Sequence, residues 1–182
     1  MSLFYFAKEI MDYTIQHSGF EERRDYLSLS LASFEIDYIL KTYQEGFTAS
    51  PEEKLKCYKG LQMEKDLLSR MKAVYKDRIE TGFEISAAGG KIKGHPDFLF
   101  DGNPGDVKSL PFDRYMPLNL RVSKKNFYQM QAYLYYMDKK EGVIIYESRE
   151  SGSLLSIPIR ANVYLQQLIK NKYDQLLNLI EA

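Results

Sequence analysis

Gly94-His95-Pro96-Asp97-Phe98-Leu99-Phe100, a turn at Asp101-Gly102-Asn103-Pro104-Gly105, and Gly105-Asp106-Val107-Lys108-Ser109-Leu110 form the stretch that decides the fold. Its apolar runs are short and are bounded by Gly, Pro, Asn and Asp, as expected of strands joined by a tight connection. Side chains alternate along a strand, so Asp106 and Lys108 project from one face and Val107 from the other. The turn brings Asp97 onto the neighbouring strand, within reach of Asp106. Asp is disfavoured in strands, so an Asp leading directly into Phe98-Leu99-Phe100 needs a local reason to be there. Pro96 removes a ladder donor and marks an edge or a bulge, features that re-aim side chains.

Working outward, Phe83 to Ala87 and Lys91 to Phe100 read as strands joined at Gly89-Gly90, and with Gly105 to Leu110 they are expected to form a three-stranded meander. A helix from roughly Ser123 to Lys139 follows, with Ser123 as N-cap. Strands at Gly142 to Ser148 and Leu154 to Ile159 precede a final helix from about Val163 to Leu179. The N-terminal third reads as helical: Leu3 to His17, Ile36 to Tyr43, and a long helix opening at Ser50-Pro51-Glu52-Glu53 and running to about Lys76. That opening combines Ser as N-cap, Pro at the first helical position and Glu three residues after the cap. The order implies an α/β fold with a central mixed β-sheet flanked by helices. No repeat or long linker interrupts the chain, so residues 1–182 read as one domain with residues 1–50 as a helical N-terminal extension.

With 182 residues, of which 45% are hydrophobic and 27% charged, the chain is long enough to bury roughly 70% of its unfolded surface and needs no structural metal. Any metal is therefore expected to serve chemistry. Lys plus Arg and Asp plus Glu both number 25, so there is no global electrostatic signature of a nucleic-acid binder. Lys91 and Lys93, Lys124 and Lys125, and Lys139 and Lys140 are candidates for a local basic surface, and each pair is also explained as ordinary solvated lysines. The single cysteine, Cys57, excludes an internal disulfide and a multi-cysteine zinc or iron–sulfur site, and points to an intracellular, reducing location. The start MSLFYFAKEIMDYTIQH lacks the basic opening and long apolar core of a secretory signal. No run reaches the ~20 apolar residues of a membrane-spanning helix, so no membrane association is expected.

Carboxylate oxygens are the ligands Mg²⁺ prefers, and Asp97 with Asp106, waters and a phosphate oxygen would complete an octahedral shell. Taken alone, an Asp and a Lys two apart on a strand make only an ordinary surface pair. Two further clues raise the stakes. On the long helix, Glu64 falls between Leu61 and Leu68 on the apolar stripe Leu61, Leu68, Met71, Tyr75, and a carboxylate aimed at the core needs a partner. On the helix after Ser123, Phe127, Met130, Leu134 and Met137 form the packing stripe, while Gln129 and Tyr133 lie one turn apart on an adjacent face. They read either as boundary residues or as a phosphate contact. His95 shares a face with Asp97 and reads as a strand-surface histidine, with an extra ligand or substrate contact as the alternative.

Together these residues resemble the PD-(D/E)XK nuclease superfamily, and within it the RecB-like branch with its phage-type relatives. Pro96-Asp97 is similar to the PD element and Asp106-Val107-Lys108 to (D/E)XK. Glu64 corresponds to the acidic residue of the preceding helix, and Gln129 to Tyr133 to the QxxxY motif. The resemblance spans about Gly60 to Ile159 and implies a restriction-endonuclease-like core. It further implies that Glu64, Asp97, Asp106 and the carbonyl of Val107 ligate Mg²⁺ or Mn²⁺, and that Lys108 orients the attacking water and stabilises charge on the phosphate. Gln129 and Tyr133 would contact the DNA backbone or buttress Lys108. Several RecB-like nucleases hold an iron–sulfur cluster on four cysteines, which this chain lacks, so a cluster-free phage-type exonuclease is implied.

The function implied is a DNA exonuclease acting on a free end in recombination, repair or phage DNA processing, with a recombination protein as a further partner. The competing readings are the same fold kept for binding nucleic acid or a protein without turnover, and a structural protein with surface ion pairs only. There is no Gly-rich phosphate loop, so unwinding would have to come from a partner. Tyr115 and Tyr128 are candidates for base stacking beside their reading as core and boundary residues.

Overall fold

Asp101 and Gly102 both have positive φ, 49° and 75°, the backbone that closes a two-residue hairpin. They join β5 (Phe98–Phe100) to β6 (Asn103–Leu110), with Phe100 opposite Asn103, Leu99 opposite Pro104 and Phe98 opposite Gly105. The computed structural model describes residues 12–14, 16, 24–46, 49–111 and 121–181. β6 pairs in parallel with β7 (Glu141–Ser148), which pairs antiparallel with β8 (Leu154–Arg160). On the other side, β5 pairs antiparallel with β2 (Ile79–Glu80), completing a five-stranded mixed sheet in the order β2-β5-β6-β7-β8.

Helices cover both faces of this sheet. We number them α1 (Ile36–Glu45), α2 (Pro51–Tyr75), α3 (Lys124–Tyr136) and α4 (Val163–Glu181). On one face Leu67, Leu68 and Met71 of α2 pack on Ile79, Phe98 and Val107, with Val143 and Ile145 alongside. The alternate residues of β7, Ile144 and Tyr146, face the larger core with Met130, Tyr133 and Leu134 of α3 and Leu165, Ile169, Tyr173 and Leu176 of α4. The period-2 alternation of β7 thus separates two apolar clusters on opposite faces. This is the mixed sheet flanked by helices that the element order implies.

The start of α2 follows its sequence signal. Ser50 Oγ accepts from Glu53 N at 3.2 Å, and Ser50 N donates to Glu53 Oε2 at 2.8 Å, with Pro51 opening the helix. Ser123 likewise caps α3, accepting from Asn126 N at 3.3 Å. The buried residues of α2 are Leu67, Leu68 and Met71, whereas Tyr75, placed on the stripe by its spacing, is 43% exposed and stands edge-on to Phe100.

The three-stranded meander needs correction. Lys91 to Phe100 is not one strand: it divides into β4 (Ile92–Gly94) and β5, with His95-Pro96-Asp97 between them. Pro96 has no N–H to continue a ladder, so the chain changes sheets there. β4 and β3 (Ile85–Ala87) instead form a small three-stranded sheet with β1 (Leu27–Ser28), which runs parallel to β4. β6 also begins earlier than read, at Asn103, because the turn needs only Asp101 and Gly102. Pro104 is accommodated because β6–β7 pairing starts one residue later, at Gly105 opposite Val143.

Within residues 1–50, read as a helical extension with helices at Leu3 to His17 and Ile36 to Tyr43, the segment between them contributes a strand at Leu27–Ser28 and a 3-10 turn at Leu29–Leu31. Leu27, Leu29, Ala32 and Ile39 are buried in the larger core, so this segment is part of the domain's packing. The helix read at Leu3 to His17 lies largely outside the described residues, of which 12–14 and 16 are helical. Tyr115 also lies outside them. Among the described residues, no helix is long and apolar enough to cross a membrane.

Phe98 is 1% exposed, and a Cβ built at Gly105 would come within 2.1 Å of its ring. Gly105→Ala should therefore overpack the β5–β6 hairpin and cost about 1–3 kcal/mol. The check is the urea midpoint of unfolding at unchanged m-value. A midpoint equal to wild type would show that the ring shifts freely and does not fix the register.

Candidate active site

Asp97 stands in the bend immediately before β5, one residue ahead of the Phe98–Gly105 pair, and so lies at the end of the hairpin beside Asp106. Asp97 is half-buried and Asp106 is 2% exposed. Asp97 Oδ2 accepts the backbone N–H of Val107 at 2.6 Å. The N–H and C=O of one strand residue face the same neighbour, so the Val107 carbonyl turns toward the Asp97 edge as well. That edge is open to it because β5 begins only at Phe98, and His95-Pro96-Asp97 supply no ladder partner there.

Lys108 shares the Asp106 face, and its Nζ lies 2.5 Å from Asp106 Oδ2, with 26% of the lysine side chain exposed. The other carboxylate oxygen, Oδ1, accepts from Gln129 Nε2 at 3.2 Å. The same amide nitrogen donates to the Tyr133 hydroxyl at 2.8 Å, and that hydroxyl donates to the His95 carbonyl at 3.1 Å. Gln129 and Tyr133, 7% and 2% exposed, are thus occupied inside the protein. Gln129 holds Asp106 directly, Tyr133 acts on it only through Gln129, and both reach Lys108 only through Asp106. Burial, and next the charge of Asp106, push the Tyr133 hydroxyl well above its ordinary pKa, so it remains a neutral donor.

Glu64 stands on α2, half-buried, in a cleft of about 430 Å³ that also includes Asp97. Burial raises its pKa, and the negative charge of Asp106 adds to the rise. Asp97 is pushed well above the ordinary carboxylate range, first by burial and then by Asp106. Burial alone would lower the pKa of Lys108, but the charges of Asp106 and Asp97 outweigh it and the net shift is upward. Three carboxyls therefore share a site with one ammonium, and two of them resist ionising.

A divalent cation would relieve that conflict. Among the described residues, no three side chains of His, Cys, Asp and Glu gather into a ready ligand cage. Mg²⁺ is ordinarily held by one or two carboxylates, with waters and phosphate oxygens filling the shell, so two aspartates and a carbonyl fit it better than they fit a closed zinc site.

His95 is 52% exposed and its Nε2 sits 3.1 Å from Glu84 Oε2, the place of a surface histidine. Its backbone, through the carbonyl held by Tyr133, is what touches the site. Sequence reasoning missed Tyr146, which pairs with Lys108 across the parallel β6–β7 ladder and accepts from Asn126 Nδ2 at 3.1 Å. It also missed the buried Glu147, which ion-pairs with Arg70 of α2. Neither lay near a motif, and no periodicity marks which residue a parallel crossover sets opposite Lys108.

No family model matches the chain, and no curated protein matches it by sequence. Solved structures do. An alkaline exonuclease from Laribacter hongkongensis, LHK-Exo, is similar at a TM-score of 0.60 and 11% identity, covering 96% of this chain and 92% of its own. The same enzyme in complex with dAMP is similar at 0.61 and 12%, covering 93% and 92%. A phage-related exonuclease from Haemophilus somnus 129PT is similar at 0.52 and 14%, covering 84% and 83%. At such identities the likeness shows the fold, and this chain has the mixed α/β fold of these nucleases.

A carboxyl whose pKa is higher in the folded than in the unfolded state destabilises the fold once ionised. Its cost is absent below the unfolded value, grows as pH rises, and is complete above the folded value. Asp97→Asn removes that cost while keeping an acceptor for Val107 N–H. In metal-free protein the variant should melt above wild type, by a margin that widens with rising pH and then levels off. Thermal midpoints across pH 4 to 8 with chelator, a range chosen from the ordinary Asp pKa of about 3.9 upward, check this. A margin that is absent or shrinks with pH would show that Asp97 is not held against its ionisation.

Proposed function

We propose that the chain is a metal-dependent DNA nuclease of the PD-(D/E)XK class, acting as an exonuclease. The observation that carries this reading is the ion pair of Lys108 with Asp106 on β6, beside the Asp97 carboxylate that accepts the neighbouring Val107 N–H. An ordinary surface pair would not place an aspartate at 2% exposure, hydrogen-bonded to a buried glutamine. The described exonuclease activity of the structurally similar proteins supports the choice of substrate, as does dAMP bound to one of them.

Asp97, Asp106 and the Val107 carbonyl would hold Mg²⁺ or Mn²⁺, with Glu64 facing them across the cleft. When bound, the ion supplies an acidified water and a counter-charge for the phosphoryl oxygens. Lys108 presents a fixed ammonium to the phosphate and holds the water in line. Its raised pKa keeps it charged at neutral pH. Gln129 and Tyr133 act by positioning: a chain of hydrogen bonds runs from the Asp106 carboxylate through Gln129 and Tyr133 of α3 to the His95 carbonyl at the strand break. DNA with a free end is the substrate, in recombination, repair or phage DNA processing, and a recombination protein is a further partner.

Asp106→Ala and Lys108→Ala should both abolish cleavage of end-labelled DNA, for different reasons. Asp106→Ala loses a ligand, so metal affinity should fall and excess Mn²⁺ should restore part of the activity. Lys108→Ala keeps the ligands, so metal should still bind while the rate falls roughly 10²–10³-fold, the usual effect of removing one transition-state charge donor. Metal titration beside a gel assay reads both. Wild-type protein that cleaves neither DNA nor RNA with either ion, or a Lys108→Ala protein as active as wild type, would overturn the catalytic reading in favour of binding without turnover.

A further inference from the structure

We infer that the cleft between α2 and residues Thr81-Gly82 seats the sugar–phosphate backbone of the strand being cut, gripped by Lys65 and Lys72. The inference rests on the nuclease reading above and extends it beyond the metal-binding groups. The cleft, about 430 Å³, is lined on one side by Glu64, Lys65, Leu68, Ser69 and Lys72 and on the other by Thr81, Gly82 and Asp97. Residues 65, 68, 69 and 72 are spaced by three and four, so they form one stripe along the helix, continuous with Glu64.

Charge distinguishes this stripe from Lys91 and Lys93 on the small sheet and beside it. Lys91 is committed to Glu181 and Lys93 to Glu84. Among the described residues, neither Lys65 nor Lys72 lies within 4.0 Å of a carboxylate oxygen, although two carboxylates share their cleft. Lys72 Nζ instead donates to the neutral Thr81 hydroxyl at 2.6 Å, which leaves donors of the ammonium free for an anion and ties the two walls together.

Spacing fits a strand. Lys65 and Lys72 are seven residues apart, close to two helical turns, so their side chains leave α2 in nearly the same direction about 10 Å apart along the axis. That distance is about three nucleotide steps of a stacked strand, at about 3.4 Å each. Lys65, one residue from Glu64, would meet a phosphate near the scissile bond, and Lys72 one farther along. Ser69 between them offers a hydroxyl donor, and Leu68 and Gly82 give the sugar an uncharged floor.

The test is equilibrium binding of a fluorescent DNA oligonucleotide to the full chain, with Ca²⁺ replacing Mg²⁺ and strand integrity checked on a gel. Each lost phosphate contact flattens the slope of log K against log salt by about 0.7 for a single strand or about 0.9 for a duplex. Lys65→Gln and Lys72→Gln should each show that change, and the double variant the sum. Lys41→Gln, on an exposed lysine of α1, and Thr81→Val, which breaks the tie without removing charge, should keep the wild-type slope. If both cleft lysine variants keep it while wild type still cuts DNA, the seat of the strand is elsewhere and the nuclease reading stands. A Thr81→Val slope that matches Lys72→Gln would show that the lysine is only a brace. Wild-type protein that neither binds nor cuts nucleic acid removes both readings.

Discussion

Asp97, just ahead of β5, and Asp106, on β6, sit close together and partly or wholly out of water, and like charges so placed resist being charged together. Much of the surrounding structure serves to hold them there. Lys108 supplies one ammonium, the Val107 N–H satisfies an Asp97 oxygen, and the Gln129 amide satisfies an Asp106 oxygen. These contacts orient the carboxylates without neutralising the cluster, and the proposed divalent cation would balance the residual negative charge. Behind it, the ring of Phe98 lies against Gly105, and Val107 is packed on Leu67, Leu68 and Met71, so the strands that carry the aspartates cannot slide.

The break at Pro96 follows from the same need. A continuous strand through His95 and Asp97 would have paired the edge of β6 and covered the Val107 carbonyl. Ending β5 at Phe98 leaves that edge exposed to the site, while the His95 carbonyl, freed from any ladder, is taken up by Tyr133. The Tyr133 ring packs so near Gly94 that a Cβ there would lie 2.9 Å from its Cε1 atom. The small sheet, the strand break and α3 are in this way fastened at one point, next to Asp106.

Glu64 depends on a different anchor. α2 is held to the sheet by its three buried apolar residues, and also by Arg70, which ion-pairs with the buried Glu147 of β7 while touching Asp66. A buried ion pair of this sort is weak evidence for stability, because desolvation offsets much of its attraction. Its geometric effect is plain: it fixes the rotation of α2 about its axis, and with it the face that presents Glu64, Lys65, Ser69 and Lys72 to the cleft.

Local chemistry in the sequence was enough to determine the hairpin, the caps and the face shared by Asp106 and Lys108. Asp101-Gly102 permits positive φ, Ser50 and Ser123 offer oxygens to free helical N–H groups, and a period of two is a property of any strand. The same signals placed Gln129 and Tyr133 together on one helix face but did not reveal their partners. Tertiary structure alone decided that Lys91 to Phe100 serves two sheets, that Leu27–Ser28 joins β4, and that Tyr146 faces Lys108. Each of these is a pairing between segments far apart in the chain, whose free energy comes from burial shared with distant residues. A short window of sequence carries no trace of such partners, whereas a turn or a cap is complete within four residues of itself.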